Sequence, residues 1–381
     1  MKVYLDNAAT TPLDEEVLEF MMPVMKEYFG NPSSIHSYGR KTRAIVETSR
    51  KTIARLLNVS PAEIFFTSGG TEADNMAIHG AVYDLGIRHV ITSPLEHHAV
   101  LHTLEHLQHT GKIKLSLLRL KEKGHVDLGH LEELLQSGDS VLVSLMHANN
   151  EVGNLLPIKK VSELCQQYKA LFHTDTVQSV GHYELDLQKI KAHFIVGAAH
   201  KFHGPKGTGF IYINHEVQIQ PFIFGGAQER NMRGGTENIY AIAGMAKALE
   251  IAHRDMEAHQ RHIQNLKSYM IDQLKLHIPG VEFNGDSGND ASLYTVLNVL
   301  FPPISSSEML LFNLDIQGIA VSGGSACSSG SNIGSHVLNA LKVDGNRPSV
   351  RFSFSKYNTK EEIDFCLLKL GEIFAVKENI K

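Results

Sequence analysis

The chain has 381 residues, 43% hydrophobic and 20% charged, with 36 basic against 41 acidic side chains and a formal net charge of −5. That is a globular composition, long enough for two domains, and its charge excludes an electrostatic case for nucleic acid as a main partner. No apolar stretch approaches a bilayer span, the start Met1-Lys-Val-Tyr-Leu5 has no signal-peptide core, and only three cysteines occur (Cys165, Cys327, Cys366), so a soluble cytoplasmic protein in a reducing compartment is expected.

Residues 3–5 predict a short strand, followed by an irregular loop, Asp6-Asn-Ala-Ala-Thr-Thr-Pro12. Asp14 precedes a helix over 15–28 with acids in its first turn. Gly30-Asn-Pro-Ser-Ser34 is a loop, and the apolar spacing of Ile45, Ile53, Leu56 and Leu57 puts an amphipathic helix over 38–58. A β-prone run, Ile64 to Thr67, then meets Gly69-Gly70, and Thr71 opens a helix reaching about Leu85. Strand, glycine turn and helix N-terminus make an anion site, because free N–H groups and the helix dipole point at the ligand. Taken alone, the same residues are more often only a tight turn.

Strands are expected at 88–92, 112–118 and 141–146, with helices from Glu96, over 128–135 and over 161–168, where Cys165 reads as a core thiol. The alternation through residue 213 predicts an α/β protein: a mostly parallel sheet with helices on both faces. The 22 histidines are scattered, and none is spaced to mark a metal site.

The stretch from His193 to Gly209 carries the chemistry. Phe194 to Ala199 has the length of a buried strand, Gly204-Pro205 and Gly207 force a turn, and Lys201 sits between them. A lysine at the mouth of a buried strand is partly desolvated, which lowers its pKa toward the neutral amine that Schiff-base chemistry uses. Read alone, it is more often a solvated loop lysine, and Lys206 inside the turn is a rival. Asp175 ends another apolar run upstream. Pyridoxal phosphate (PLP) enzymes pair a Schiff-base lysine with a carboxylate for the pyridinium nitrogen, and in an open α/β sheet both belong at the carboxyl ends of strands.

Ala199-His200-Lys201 with Gly204-Pro-Lys-Gly207 resembles the lysine segment of the cysteine desulfurases of the NifS/IscS type, class V aminotransferases of PLP-dependent fold type I. The resemblance implies that Lys201 holds the cofactor, that Asp175 bonds its ring nitrogen, and that Gly70, Thr71 and His200 contribute to a phosphate cup. It implies that His97, unlike His98, stacks on the ring and shuttles protons, and that Asn150 and Gln178 bond the phenolic oxygen. Leu5 to Pro12 and Gly30 to His36, with Asn31 as a substrate contact, resemble segments that line the desulfurase active site. Thr236, in the glycine-rich loop 225–237, matches the residue that reaches the phosphate of the partner subunit, so a homodimer with shared sites is implied. One position departs from the pattern: where these enzymes commonly carry a phosphate-binding serine, this chain has Ala198.

A long helical region over 238–277 follows, with a domain boundary near 253. Strands near 281–284, 293–299 and 349–354 and helices near 307–315, 334–342 and 360–375 predict a smaller α+β domain. By family analogy the N-terminal residues join it, giving a large PLP-binding domain over 15–253 and a small one from 1–14 with 254–381. Apart from Ala326 and Cys327, residues 322–332 are serine, glycine or asparagine, the composition of a mobile loop. A reactive thiol on such an arm suits a nucleophile that visits a cofactor and carries a product away, although a stray linker cysteine would look the same. Gly324-Ser-Ala-Cys-Ser-Ser329 resembles the catalytic loop of the long-loop desulfurases, and Arg351 matches their clamp on the substrate α-carboxylate, a task that suits a guanidinium fork.

The resemblance spans nearly the whole chain. It implies an enzyme that converts L-cysteine to L-alanine and passes sulfur through a Cys327 persulfide to an acceptor serving iron–sulfur cluster assembly or thiolation. A selenocysteine lyase or an aminotransferase of the same class would share every feature except the need for Cys327. A non-catalytic member is disfavoured by the joint presence of Lys201, Asp175, His97 and Cys327.

Overall fold

A computed structural model describes residues 1–136, 138, 140–289, 291–304, 309–323 and 334–375. β1 (Val3–Tyr4) leads through an irregular segment into α1 (Glu15–Glu27), which Asp14 caps by accepting from the Glu16 N–H at 2.8 Å. α2 (Ser37–Leu56) is capped by His36, whose Nδ1 accepts from Gly39 N–H. Next come β2 (Ile64–Thr67) and α3 (Gly70–His79), which winds on through Gly80–Asp84 as a π-turn, close to the expected end at Leu85. β3 (His89–Thr92), α4 (His98–His109), β4 (Lys114–Leu117), α5 (Leu128–Leu135), β5 (Val141–Ser144), α6 (Ile158–Gln167), β6 (Leu171–Asp175), β7 (Phe194–Ala198) and β8 (Gly209–Ile213) complete the alternation.

These strands form a seven-stranded sheet in the order β2-β8-β7-β6-β5-β3-β4. β3 to β7 run parallel, and β8 runs antiparallel to both β7 and β2 because the Gly204–Gly207 turn folds the chain straight back. Alternate residues feed two cores, as strand geometry requires. Ile64, Phe66, Ile91, Val143, Phe172 and Ile195 pack under α1, α2, α5, α6 and α7 (Ile239–Arg254), whereas Phe65, Val90, Leu142, Val196 and Ile211 pack under α3 and α4. β5 ends at Ser144, two residues before the expected 146, although Leu145 and His147 N–H still donate to His173 O and Asp175 O of β6 at 3.1 and 2.9 Å.

The long C-terminal helical region is two helices, α7 and α8 (Met256–His277), separated at Asp255. Then follow β9 (Glu282–Phe283), β10 (Val296–Leu300), α9 (Leu310–Ile316), β11 (Ile319–Ala320), α10 (His336–Ala340), β12 (Ser349–Ser353) and α11 (Lys360–Ala375). β12-β10-β9 is an antiparallel sheet, and β11, which sequence patterning missed, pairs in parallel with β1. Val3 and Leu5 are thereby buried in one cluster with Leu297, Phe352 and Leu370. Among the described residues, no helix is long and apolar enough to cross a membrane.

Candidate active site

A cleft of about 260 Å³ opens where β2, β3, β5, β6 and β7 end. Each strand delivers one part of it. After β2, Gly70 and Thr71 open α3 into the cleft, and the helix N-cap, Gly69, has no side chain to occupy the first N–H groups. A Cβ at Gly70 would lie 2.8 Å from Val177 Cγ2, so only glycine lets the helix start approach β6 this closely. After β3, His97 is the N-cap of α4, its Nδ1 accepting from Ala99 N–H at 3.1 Å. That bond leaves the proton of the neutral ring on Nε2. Burial first, then Lys201 and the histidines His98, His336 and His102, depress the His97 pKa to about 4, so the ring is neutral at physiological pH.

The floor is acidic and buried. Asp175 ends β6, 6% exposed, and burial pushes its carboxyl up to about 6 against the opposing pull of the Val177 N–H (2.8 Å) and Lys201. His173 and Asp175 are two apart on β6 and so share a face, which α3 covers. From α3 comes Asp74, 1% exposed, whose Oδ1 lies 3.3 Å from His173 Nε2, an approach that is not a hydrogen bond and leaves both buried atoms unsatisfied among the described residues. Burial, then Asp175 and Glu96, holds the Asp74 carboxyl well above the usual range. On the far side of the His173 ring, Nδ1 meets Ser144 Oγ at 2.8 Å, and Ser144 O accepts from Thr92 Oγ1 at 2.7 Å. A polar ladder therefore crosses three central strands beneath the floor. Sequence reasoning missed Asp74, although it lies one helical turn after Gly70 on the same face, a spacing that could have found it.

Lys201 follows β7, and its Nζ donates to Ala8 O at 2.6 Å and Ala9 O at 2.9 Å. Gln178 Nε2 donates to the same Ala8 O at 2.9 Å. The N-terminal loop, which looks inert as sequence, is thus a brace. Ala8 N donates to Ser353 Oγ at 2.8 Å, and Thr11 N donates to His200 O at 2.9 Å, tying β12 to the lysine turn. Arg351, on β12 and 1% exposed, reaches the opposite wall and donates from Nη1 to Asn150 O at 3.0 Å. Ala198 and His200 also line the cleft, with His200 Nδ1 3.2 Å from Thr10 Oγ1.

Of the residues singled out from sequence, Gly70, Thr71, His97, Asn150, Asp175, Gln178, His200, Lys201 and Arg351 come together here. Lys206 is exposed in its turn and does not line the cleft. Neither does Asn31, whose Oδ1 accepts from Ser33 N–H in an exposed loop, nor Thr236, which is exposed. Cys327 lies outside the described residues. The other two thiols, Cys165 and Cys366, are buried, and burial pushes each up to about 12, which removes them as nucleophiles.

The class-V aminotransferase family profile matches residues 3–365. Cysteine desulfurase IscS of Dictyoglomus turgidum is 43% identical over 376 residues, covering 98% of this chain and 94% of that protein. Cysteine desulfurase IscS of Clostridium botulinum (strain Hall) is 41% identical over 376 residues, at 98% and 94% coverage. Among solved structures, a NifS-like protein superposes with a TM-score of 0.90 at 38% identity, covering 99% of this chain and all of that one.

Proposed function

Since this chain belongs to the class-V aminotransferase family and is a cysteine desulfurase, we propose that the cleft at the sheet's carboxyl edge holds pyridoxal phosphate and takes L-cysteine to L-alanine, with Cys327 receiving the sulfur. The observation that carries this reading is the joint placement of Lys201 and Asp175 at the ends of neighbouring strands, with the open start of α3 facing the same cleft.

The residues fit the cofactor. Burial holds the Asp175 carboxyl up to about 6, and a protonated ring nitrogen would give it a cationic partner in the cleft. Gly70 and Thr71, with His200 beside them, suit a phosphate at a helix N-terminus. Gln178 and Asn150 are on hand for the phenolic oxygen, and Lys201 would hold the group through its amine. When bound, pyridoxal phosphate supplies an electron sink for the pair left when the substrate Cα proton departs.

The chain's own side chains do the rest. Arg351 binds the substrate carboxylate and orients Cα. Lys201 Nζ takes the Cα proton once it no longer carries the cofactor. His97 presents Nε2–H, so it first gives a hydrogen bond to the substrate sulfur and moves a proton there only by giving before taking. Cys327 thiolate attacks that sulfur: an S–S bond forms, the substrate Cβ–S bond breaks, and Cβ keeps the electron pair and is protonated to the methyl of alanine. Cysteine plus enzyme thiol therefore becomes alanine plus enzyme persulfide, with no outside oxidant or reductant.

The homodimer belongs to the same reading, supported by a Thr236 that is exposed and stands off its own cleft. So do the large and small domains, supported by the burial of Val3 and Leu5 in the C-terminal apolar cluster, the cytoplasmic setting, and transfer of the persulfide sulfur to a scaffold protein. The desulfurase names of the relatives favour this activity over a selenocysteine lyase or an aminotransferase. The test is release of alanine and sulfide from L-cysteine with reductant present, compared with Cys327→Ser. Equimolar products from the parent and cofactor binding without persulfide in the variant are expected. Normal sulfide output from Cys327→Ser would overturn the sulfur route.

A further inference from the structure

Arg351 is a buried cation inside the cleft wall, and its guanidinium has five N–H donors. Nη1 is taken by Asn150 O at 3.0 Å, and Nη2 donates to Asp6 Oδ1 at 2.9 Å. Nε is buried and has no hydrogen-bond acceptor among the described residues. Asp6 Oδ1 also accepts from Ser322 Oγ at 2.8 Å, and the backbones of Ser322 and Arg351 pair as an antiparallel bridge. The Asp6 side chain is 19% exposed, so this ion pair is largely out of water.

A buried guanidinium needs a counter-charge, and here the chain supplies its own. Asp6 stands 345 residues from Arg351 and is carried there by the β1–β11 pairing and by a bridge to Ser353. An incoming carboxylate thus meets a neutralised pair and not a bare cation, with the N–H groups that Asn150 and Asp6 leave unused, Nε among them, to begin the exchange. We propose that Asp6 is a placeholder carboxylate, which occupies part of the Arg351 guanidinium before substrate binds and yields it to the substrate's α-carboxylate.

This assignment rests on the reading of Arg351 as the carboxylate clamp. It makes Asp6 a positioning residue that tunes affinity and charge selectivity. A full carboxylate brings its own counter-charge and can trade places with Asp6, whereas a neutral amide brings none and gains little from the guanidinium with or without Asp6. Ser322 modulates the trade by sharing the same oxygen: its hydroxyl draws charge from the bond to Arg351 and steadies Asp6 when the guanidinium turns away.

The test is calorimetric titration of the holoenzyme with L-alanine, the product, and with L-alaninamide, which lacks the carboxylate. Asp6→Asn should tighten L-alanine binding by about five- to tenfold, the range of a partly desolvated charge pair, and should leave L-alaninamide within about twofold of the parent. Ser322→Ala lets Asp6 hold Arg351 more fully and should weaken L-alanine by about twofold, the smaller effect of a neutral hydrogen bond. It also carries the test if Asp6→Asn does not fold. Unchanged or weaker L-alanine binding by Asp6→Asn, or equal tightening of both ligands, would overturn the placeholder role, as would tighter binding by Ser322→Ala. Arg351→Ala separates the two levels: L-alanine affinity that survives it overturns the clamp itself and Asp6's part with it, whereas its loss beside an unresponsive Asp6→Asn overturns only the placeholder.

Discussion

The floor and the wall of the cleft solve opposite electrostatic problems. The floor gathers two acids, Asp175 and Asp74, with a third, Glu96, buried near them outside the cleft lining, and each is pushed toward its protonated form. The wall holds one buried base, Arg351, already matched by Asp6. A floor of under-compensated carboxyls attracts a cation, such as a protonated ring nitrogen, whereas a compensated arginine receives an anion only by exchange. The floor is also built locally, from strand ends and the turns that follow them. The wall joins the two ends of the chain. An amino-acid substrate needs both, and the two can be broken separately.

Lys201→Ala breaks the floor outright. It should abolish the visible cofactor band and all turnover, because Lys201 lines the cleft and is the amine proposed to hold the cofactor. Absorbance spectra before and after borohydride check this, and a reducible link that persists would move the site to another lysine.

Arg351→Ala breaks the wall and should leave the floor intact. The visible band is retained while kcat/KM for L-cysteine falls by about a hundredfold or more, the cost of removing one partner of a buried charge pair. Steady-state kinetics with the spectrum recorded alongside would show it, and a lost band would mean that wall and floor are not independent.

Asp74→Asn sharpens the account of the floor through pH. A carboxyl whose folded pKa is raised binds its proton more tightly when folded, so its stability contribution is fully present below the unfolded pKa and is lost as pH rises toward the folded value. For Asp175 that window runs from about 4, the ordinary carboxyl value, to about 6, and for Asp74 it extends higher. Removing this titratable carboxyl should therefore raise the thermal midpoint of the cofactor-free protein relative to the parent at pH 8, by a few degrees, and the gap should close near pH 4. A gap that is the same at both pH values would mean that Asp74 is not a charged burden on the floor.

The smallest effect concerns Ala198, 1% exposed beside Gly70. A serine there would offer a hydroxyl to the proposed phosphate site, and a hydrogen bond to a charged group is worth roughly 1.5–3 kcal/mol. In a Lys201→Ala background, which removes the covalent link, Ala198→Ser should tighten cofactor binding by about tenfold, or roughly 1.4 kcal/mol. Equal affinity would show that the cup is already complete around alanine.

Much of the floor was legible in the sequence because its parts are local. A β-prone run, two glycines and a helix start announce an anion site wherever they occur, and an apolar run ending in Ala-His-Lys before Gly-Pro places an amine at a strand mouth. The periodicities of 2 and 3.6 likewise determined which segments are strands and helices, and the strand at 64–67 and the helix at 128–135 fall where the pattern puts them. Strand order was not legible, nor was the reversal of β8, since both depend on pairing between distant segments. Asp74 and His173 meet only because α3 packs across β6, and each alone looks like an ordinary polar residue in a buried element. Asp6 and Arg351 are the extreme case. The sequence by itself determined that the chain has an acid near its start and an arginine near its end; only the tertiary structure, by laying the first strand against β11 and the next residues along β12, decided that the two neutralise each other, because a charge takes its partner from whatever folding brings within reach once water is excluded.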